Sequence, residues 1–307
     1  MARSDVTSRR TSALVSLILV MVVWGSTYVV TKAVVREIPP LTLAVLRYLI
    51  AAVVLVPIAI ARGGLMRLAG PLPVSPLVWM GLTGIAILTV GFNYALIYGS
   101  ASQGALVYAL SPAAMAVAAV LGLREALSKR RMAGIALSIV GAVLVVASGQ
   151  SDRAAPRPFI GALCMLAGVA AWAHYTVVAK RLADEDQVVV IASVSIIGTL
   201  MLLPFAVGEL QHSPISWPTL GAWLGTLYLG AIASAIAYVA YSRVLRELDA
   251  SLVGAYFTLD PIVGVATAVV FLGEALGPRQ LAGGILALMG MWLAASNPDS
   301  KAPATRS

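Results

Sequence analysis

Apolar residues in this chain do not alternate with polar ones at a short period. They run on, and they stop at clusters of proline, glycine and charge. Ten apolar stretches result: Ala13–Val35, Leu41–Ala61, Pro76–Tyr98, Gly104–Leu123, Met132–Ala147, Phe159–Ala179, Val188–Gly208, Leu220–Tyr241, Leu252–Leu272 and Leu281–Ala295. A helix needs about 20 mostly apolar residues to cross ~30 Å of hydrocarbon. Each stretch therefore predicts a membrane-crossing helix, the fifth and tenth being only just long enough. Breakers stand between them as expected. Pro39 and Pro40 open the second stretch, and Pro71, Pro73 and Pro76 lead into the third. A polar linker runs from Asp152 to Pro158, and Pro214 and Pro218 precede the eighth stretch.

Composition agrees. Of 307 residues, 60% are hydrophobic and only 11% charged, against about a quarter charged in an ordinary soluble protein. That is too little charge to cover a soluble surface, so the soluble classes are excluded. Long unbroken runs also exclude a transmembrane barrel, whose segments are short and alternating. The fold class is all-α integral membrane. A net charge of +8 would suit nucleic acid, but the basic residues are scattered at the ends of apolar runs, as loop anchors are, and no nucleic-acid partner is expected. The single cysteine, Cys164, lies within an apolar run and forms no intrachain disulfide. Arg9 and Arg10 precede the first stretch as in a signal peptide, but its apolar part is too long and no cleavage site closes it.

The linker divides five stretches from five. Shifted by 149 residues, Ala101–Ser148 falls on Ala250–Asn297 with 16 identities in 48 positions and no gap. Pro112 meets Pro261, Glu125 meets Glu274, and Gly134 and Gly141 meet Gly283 and Gly290. At a shift of 148, Trp24 meets Trp172 and Lys32 meets Lys180. Apolar composition alone does not align proline, glutamate, tryptophan and glycine together. The chain is a duplication, with a tail at 1–12, repeats at 13–148 and 159–296, a linker at 149–158 and a second tail at 297–307.

An odd number of helices per repeat sets the second copy upside down in the membrane. Loop charges test the orientation. With the amino terminus in the cytoplasm, the inner segments carry 15 Lys and Arg and the outer ones 5, leaving Arg47 inside a helix. Equivalent loops diverge as inversion demands. Arg124, Lys129, Arg130 and Arg131 follow the fourth helix, and only Arg279 follows the ninth. Both termini are expected in the cytoplasm. Inverted repeats place substrate near the midplane, between the halves.

The motifs resemble the drug/metabolite transporter superfamily in its EamA form. They are Trp24-Gly25-Ser26-Thr27-Tyr28, then Arg47-Tyr48, and the Pro112 and Pro261 helices, each followed by a Leu-x-Glu-Ala-Leu segment (Leu123 to Leu127, Leu272 to Leu276). The resemblance spans about residues 13 to 296. It implies ten transmembrane helices as two inverted five-helix EamA repeats, cytoplasmic termini, and alternating access around a central cavity. The nearest mechanistic analogues are YddG-like exporters of amino acids and metabolites. It does not name a cargo.

Several residues are candidates for the chemistry. Asp260 is the one acid near the centre of a stretch, and its repeat partner is Ser111. An intramembrane carboxyl is a functional candidate by default: it suits a coupling proton or a substrate amine, or it bonds a neighbouring hydroxyl. Arg47 lies about 10 Å into its helix at 1.5 Å per residue. Either it holds a substrate carboxylate or an acidic partner, or it snorkels outward. His174, two residues after Trp172, is a second proton candidate, or an interior hydrogen-bonded histidine. Pro112 and Pro261 each free the carbonyl four residues back, at Tyr108 and Phe257, as a hinge beside the cavity or a plain kink. Aromatics pair by face: Trp24 with Tyr28, Tyr94 with Tyr98 beside Asn93, and Tyr238 with Tyr241. Such faces suit a cavity for a flat or apolar ligand, or an interfacial belt. Glu125 and Glu274, past helix ends, read better as anchors than as ligands, and Lys32 and Lys180 as interfacial. The small faces Gly134, Ser138, Gly141 and Gly283, Ala287, Gly290 suit internal packing, or less readily a homodimer.

No nucleotide loop, metal-ligand spacing or nucleophile elbow occurs in the sequence, so no cofactor and no enzyme activity are expected. The reading is a secondary or facilitative transporter in the cell membrane. It moves small metabolites, exporting amino acids, aromatic or apolar ones among them, with the lipid bilayer as its surround and as a monomer or homodimer. The alternatives are an integral-membrane enzyme using His174 and Asp260, and a lipid-handling membrane protein.

Overall fold

The computed structural model describes residues 2–62, 74–123, 128–148, 155–213, 215–248, 252–253 and 256–295. Glu125, most of the linker and the tail at 297–307 lie outside the described residues. The described elements are helices: α1 Ala2–Val34, α2 Pro40–Ala61, α3 Val74–Tyr98, α4 Ala101–Tyr108, α5 Ser111–Leu123, α6 Lys129–Ala147, α7 Pro158–Ala179, α8 Gln187–His212, α9 Leu220–Val244, α10 Leu259–Leu272 and α11 Pro278–Ala295. Among the described residues, eight segments are long and apolar enough to cross a membrane, and α10 is a shorter apolar helix. Large apolar side chains such as Leu19, Val53, Phe205 and Val270 face outward, as lipid-facing residues do.

Pro112 and Pro261 stand near the middle of their apolar stretches, which predicts prolines inside continuous helices, but the structure does not place them there. Residues 109 and 110 form a turn between α4 and α5, so Pro112 sits in the first turn of α5. Pro261 likewise falls in the first turn of α10. A proline there has no missing bond to make up, because the first-turn N–H groups have no partner in the helix. The carbonyl freed at Tyr108 accepts from Ser111 Oγ at 2.6 Å. That at Phe257 accepts from the Asp260 N–H at 3.2 Å.

Without a hydrophobic force between helices in lipid, close packing of small residues does the work. The small faces of α6 and α11 meet each other. A Cβ on Gly134 would stand 2.8 Å from the Gly290 oxygen, and one on Gly283 would stand 2.7 Å from the Gly141 oxygen. As numbers rise along α6 they fall along α11, so the pair is antiparallel and the repeats are inverted relative to each other. This face is fully occupied within the chain. On the other side, Gly25 of α1 fits against the Asp260 carbonyl of α10, where a Cβ would come within 2.7 Å.

Two further features came from the structure alone. Wide π-helical turns interrupt α3 at Gly81–Ile87 and α9 at Tyr228–Ile236. They fall at equivalent places in the two repeats. Such turns are rare and re-aim the side chains beyond them. Carboxylates also cross from one repeat to cap helices of the other. Glu209 accepts from the N–H groups of Leu41 and Thr42 at 3.1 and 2.8 Å. Glu274 accepts from those of Ala101 and Ser102, both at 2.8 Å, and Glu37 accepts from that of Thr219 at 2.7 Å. Each satisfies orphan donors at a helix N-terminus, where negative charge is favoured. For Glu274 this is the anchoring role its position suggested.

Candidate functional site

Between α1, α2, α3, α4, α7, α9 and α10 lies an internal cavity of about 60 Å³. Trp24, Tyr28, Arg47, Tyr108, Trp172, Tyr238 and Asp260 line it, from both repeats. These are seven of the side chains singled out in the sequence. The volume is well short of the ~300 Å³ of a pocket that encloses a drug-sized ligand.

Arg47 does not snorkel. Its side chain is buried, its Nε donates to Ser234 Oγ at 2.6 Å, and its guanidinium stands 5.6 Å from the centre of the Tyr48 ring. Ser234 belongs to the π-helical turn of α9, so that turn presents the hydroxyl that holds the arginine. Asp260 is 3% exposed, and its Oδ1 has no hydrogen-bond partner. Arg47 and Asp260 share the cavity without forming an ion pair with each other. A buried guanidinium and a buried carboxyl left apart are costly to keep unless something else meets them.

The aromatic wall is built from two clusters of rings. Trp24 lies 6.3 Å from Trp172 and 5.3 Å from Tyr238, ring centre to ring centre, both edge to face. Tyr241 stands behind it at 5.0 Å. Tyr28 packs on Phe92 at 4.9 Å and on Tyr108 at 6.3 Å. Edge-to-face and tilted contacts of this kind lock ring orientation. Ser111 is buried but turned to the Tyr108 carbonyl, and it is not on the cavity wall.

Besides Ser111 and Tyr241, four expected site residues are not on the cavity wall. Tyr94 and Tyr98 stack on each other, 6.0 Å apart, and Tyr94 lines a separate cleft with Arg36, Glu209 and His212 at the end of α3. Asn93 is buried with its amide donating to the Pro40 carbonyl at 2.8 Å. His174 faces outward and packs on Trp79 at 5.6 Å. The reason is helical rotation, at about 100° per residue. Phe92 faces the cavity, and Tyr94 is two residues on, about 200° round the helix. His174 stands in the same relation to Trp172.

The sequence reading missed Leu88, Thr89 and Phe92, and it gave Thr27 and Tyr48 no role beyond their motifs. All five line the cavity. Phe92 follows Leu88 by four residues, so the two share a face of α3, but nothing in the sequence said that this face was the inner one. Lys32, in the last turn of α1, is buried, and its Nζ donates to the carbonyls of Leu96 and Gly99 at the end of α3, at 2.5 and 2.6 Å. Among the described residues no group of three His, Cys, Asp or Glu side chains converges as metal ligands would.

The chain is similar to known transporters along nearly its whole length. A protein of Salmonella typhimurium named a probable amino-acid metabolite efflux pump is 30% identical over 290 residues, covering 90% of this chain and 92% of that one. A protein of Archaeoglobus fulgidus named an uncharacterized transporter is 28% identical, covering 90% and 95%. A crystal structure of a protein 24% identical superposes with a TM-score of 0.67 over 93% of this chain and 97% of the other, which speaks to the fold alone. The EamA-like transporter family matches twice, at 11–147 and at 159–296. This is therefore a multi-pass membrane transporter, and the chain belongs to the EamA-like transporter family of the drug/metabolite transporter superfamily.

Proposed function

We propose that the protein exports amino acids or closely related metabolites across the cell membrane by alternating access. The observation that carries this reading is the pair Arg47 and Asp260, a guanidinium and a carboxyl that are both buried and unpaired with each other on one aromatic-walled cavity. A zwitterion answers both charges at once, its carboxylate meeting the guanidinium and its amine the carboxylate. Trp24, Tyr28, Tyr108, Trp172 and Tyr238 then enclose an apolar or aromatic side chain. The relative's name, an amino-acid metabolite efflux pump, supports the same class of cargo.

The chain crosses the membrane ten times, α4 with α5 making one broken crossing, and both termini lie in the cytoplasm, in keeping with the loop charges. The domain division at 13–148 and 159–296 is the unit of movement. A cavity of about 60 Å³ admits cargo only when the repeats part, which supports a cycle in which the central space opens to one side at a time. The breaks ahead of Pro112 and Pro261 are where each broken crossing bends. Asp260 takes either the substrate amine or a coupling proton.

Counterflow in proteoliposomes tests this. Purified protein should exchange radiolabelled amino acid for unlabelled amino acid and leave it chemically unchanged. Exchange of sugars or nucleosides with no exchange of any amino acid would overturn the proposal, and so would chemical conversion of the label.

A further inference from the structure

The two repeats offer equivalent polar groups to the cavity region, but they do not use them equally. Trp24 and Trp172 are equivalents, as are Ser111 and Asp260. In the first repeat both groups are satisfied internally. Trp24 Nε1 donates to the Ala233 carbonyl at 3.0 Å, and Ser111 Oγ donates to the Tyr108 carbonyl at 2.6 Å. In the second repeat neither is. Trp172 Nε1 and Asp260 Oδ1 are both buried and both lack a hydrogen-bond partner, on residues that are each 3% exposed and that both line the cavity.

The indole of Trp172 is not free to turn and find a partner. It stacks on Tyr175 at 5.1 Å with the planes 12° apart, and it meets Trp24 and Tyr238 edge to face. A phenylalanine would make the same stack without burying an unpaired donor, which is unfavourable in itself. The N–H is thus a liability to the protein alone, on a residue that lines the cavity.

We propose that Trp172 is a specificity-determining residue, its indole N–H donating to an oxygen of the cargo while Asp260 receives the cargo amine. The second repeat then carries the discriminating donor and acceptor, and the first contributes the charge of Arg47 and most of the aromatic wall. The cargo class this selects bears an amine together with a neighbouring carboxylate or carbonyl oxygen. A simple amine of the same shape answers Asp260 and leaves both Trp172 and Arg47 unmet. This inference rests on the reading that the cavity holds an amino acid.

The test uses the full chain in proteoliposomes, with L-phenylalanine and 2-phenylethylamine as paired probes that differ only in the carboxylate. Wild type should exchange phenylalanine at a lower half-saturating concentration than the amine. Trp172→Phe should raise that concentration for phenylalanine about tenfold more than it raises it for the amine, the scale of one hydrogen bond to a charged group. Should Trp172→Phe fail to fold, benzothienylalanine at position 172 replaces only the N–H with sulfur and should give the same result. Phenylalanine exchange within twofold of wild type, or equal losses for both probes, overturns the role of Trp172 and leaves the transport reading standing. A wild type that exchanges neither probe overturns the amino-acid reading, and this inference with it.

Discussion

Ser138 Oγ donates a hydrogen bond to the carbonyl of Ala287 at 3.3 Å, and these two residues hold the same position in their respective repeats, 149 apart. A helix that meets its own copy at the same position lies on the axis relating the copies. Here that axis passes between α6 and α11, and the reversed pairing of Gly134 with Gly290 and Gly141 with Gly283 runs symmetrically out from it. The duplication is thus locked at a seam where a Cβ on Gly134, Gly141, Gly283 or Gly290 would meet backbone of the other helix within 3 Å.

That seam should be intolerant of added volume. Gly141→Ala places a Cβ against the Ala287 backbone, and backbone cannot yield as a flexible side chain does. We expect a loss of about 1–3 kcal/mol, read as a lower melting temperature in detergent. Gly208→Ala is the control, since a Cβ there meets nothing within 4 Å. Equal melting of the two variants would contradict the packing described.

The carboxylates that cross between repeats should matter for stability in order of burial. Glu274→Ala and Glu209→Ala each leave two helix N-terminal donors without their acceptor. A hydrogen bond to a charged group contributes about 1.5–3 kcal/mol. Gln, which keeps one oxygen, should recover part of the loss. Glu37→Ala should have less effect, because its bonds to Thr219 are exposed to solvent. Thermal unfolding of the three variants gives the ranking, and a larger loss at Glu37 would refute it.

Asp260→Asn keeps the shape of the side chain and removes its charge and titration. The variant should insert and fold, since an amide is less costly in hydrocarbon than a carboxylate. Transport per folded molecule should fall at least tenfold or lose its response to an imposed pH gradient. Initial rates in proteoliposomes, with and without the gradient, decide this. A wild-type rate with an unchanged pH response would show that Asp260 only supports the fold.

The aromatic residues should divide by the face they occupy. Tyr98→Phe, on the outer stack with Tyr94, should leave half-saturation for phenylalanine within twofold of wild type. Tyr238→Ala removes part of the cavity wall and should raise it at least tenfold or abolish exchange. The reverse pattern would place the site in the cleft at the end of α3.

Topology can be read with impermeant maleimide. A cysteine replacing Ser300 should be silent in intact cells and react after lysis, in a Cys164→Ser background. Labelling in intact cells would put the carboxyl terminus outside and invert the charge argument.

The sequence by itself determined the solvent, the duplication and its direction. In lipid every backbone group must be bonded within the segment, so a spanning helix announces itself as a run of apolar residues, and the matches of Trp24 with Trp172 and Pro112 with Pro261 needed no coordinates. Arg47 and Asp260 were legible as well, because a charge inside an apolar run is conspicuous. What only the tertiary structure decided was which face of each helix turns inward. A leucine or tyrosine is as well placed against lipid as against another helix, so hydropathy carries no rotational signal here. That is why Tyr94, Tyr98 and His174 looked as eligible as Trp24 and Tyr238, and why Leu88, Thr89 and Phe92 were passed over. Rotation was set by close contacts at glycine, Gly25 on α10 and Gly141 on α11, and by the π-helical turns in α3 and α9. These depend on backbone meeting backbone across the two repeats, which a one-dimensional pattern does not record.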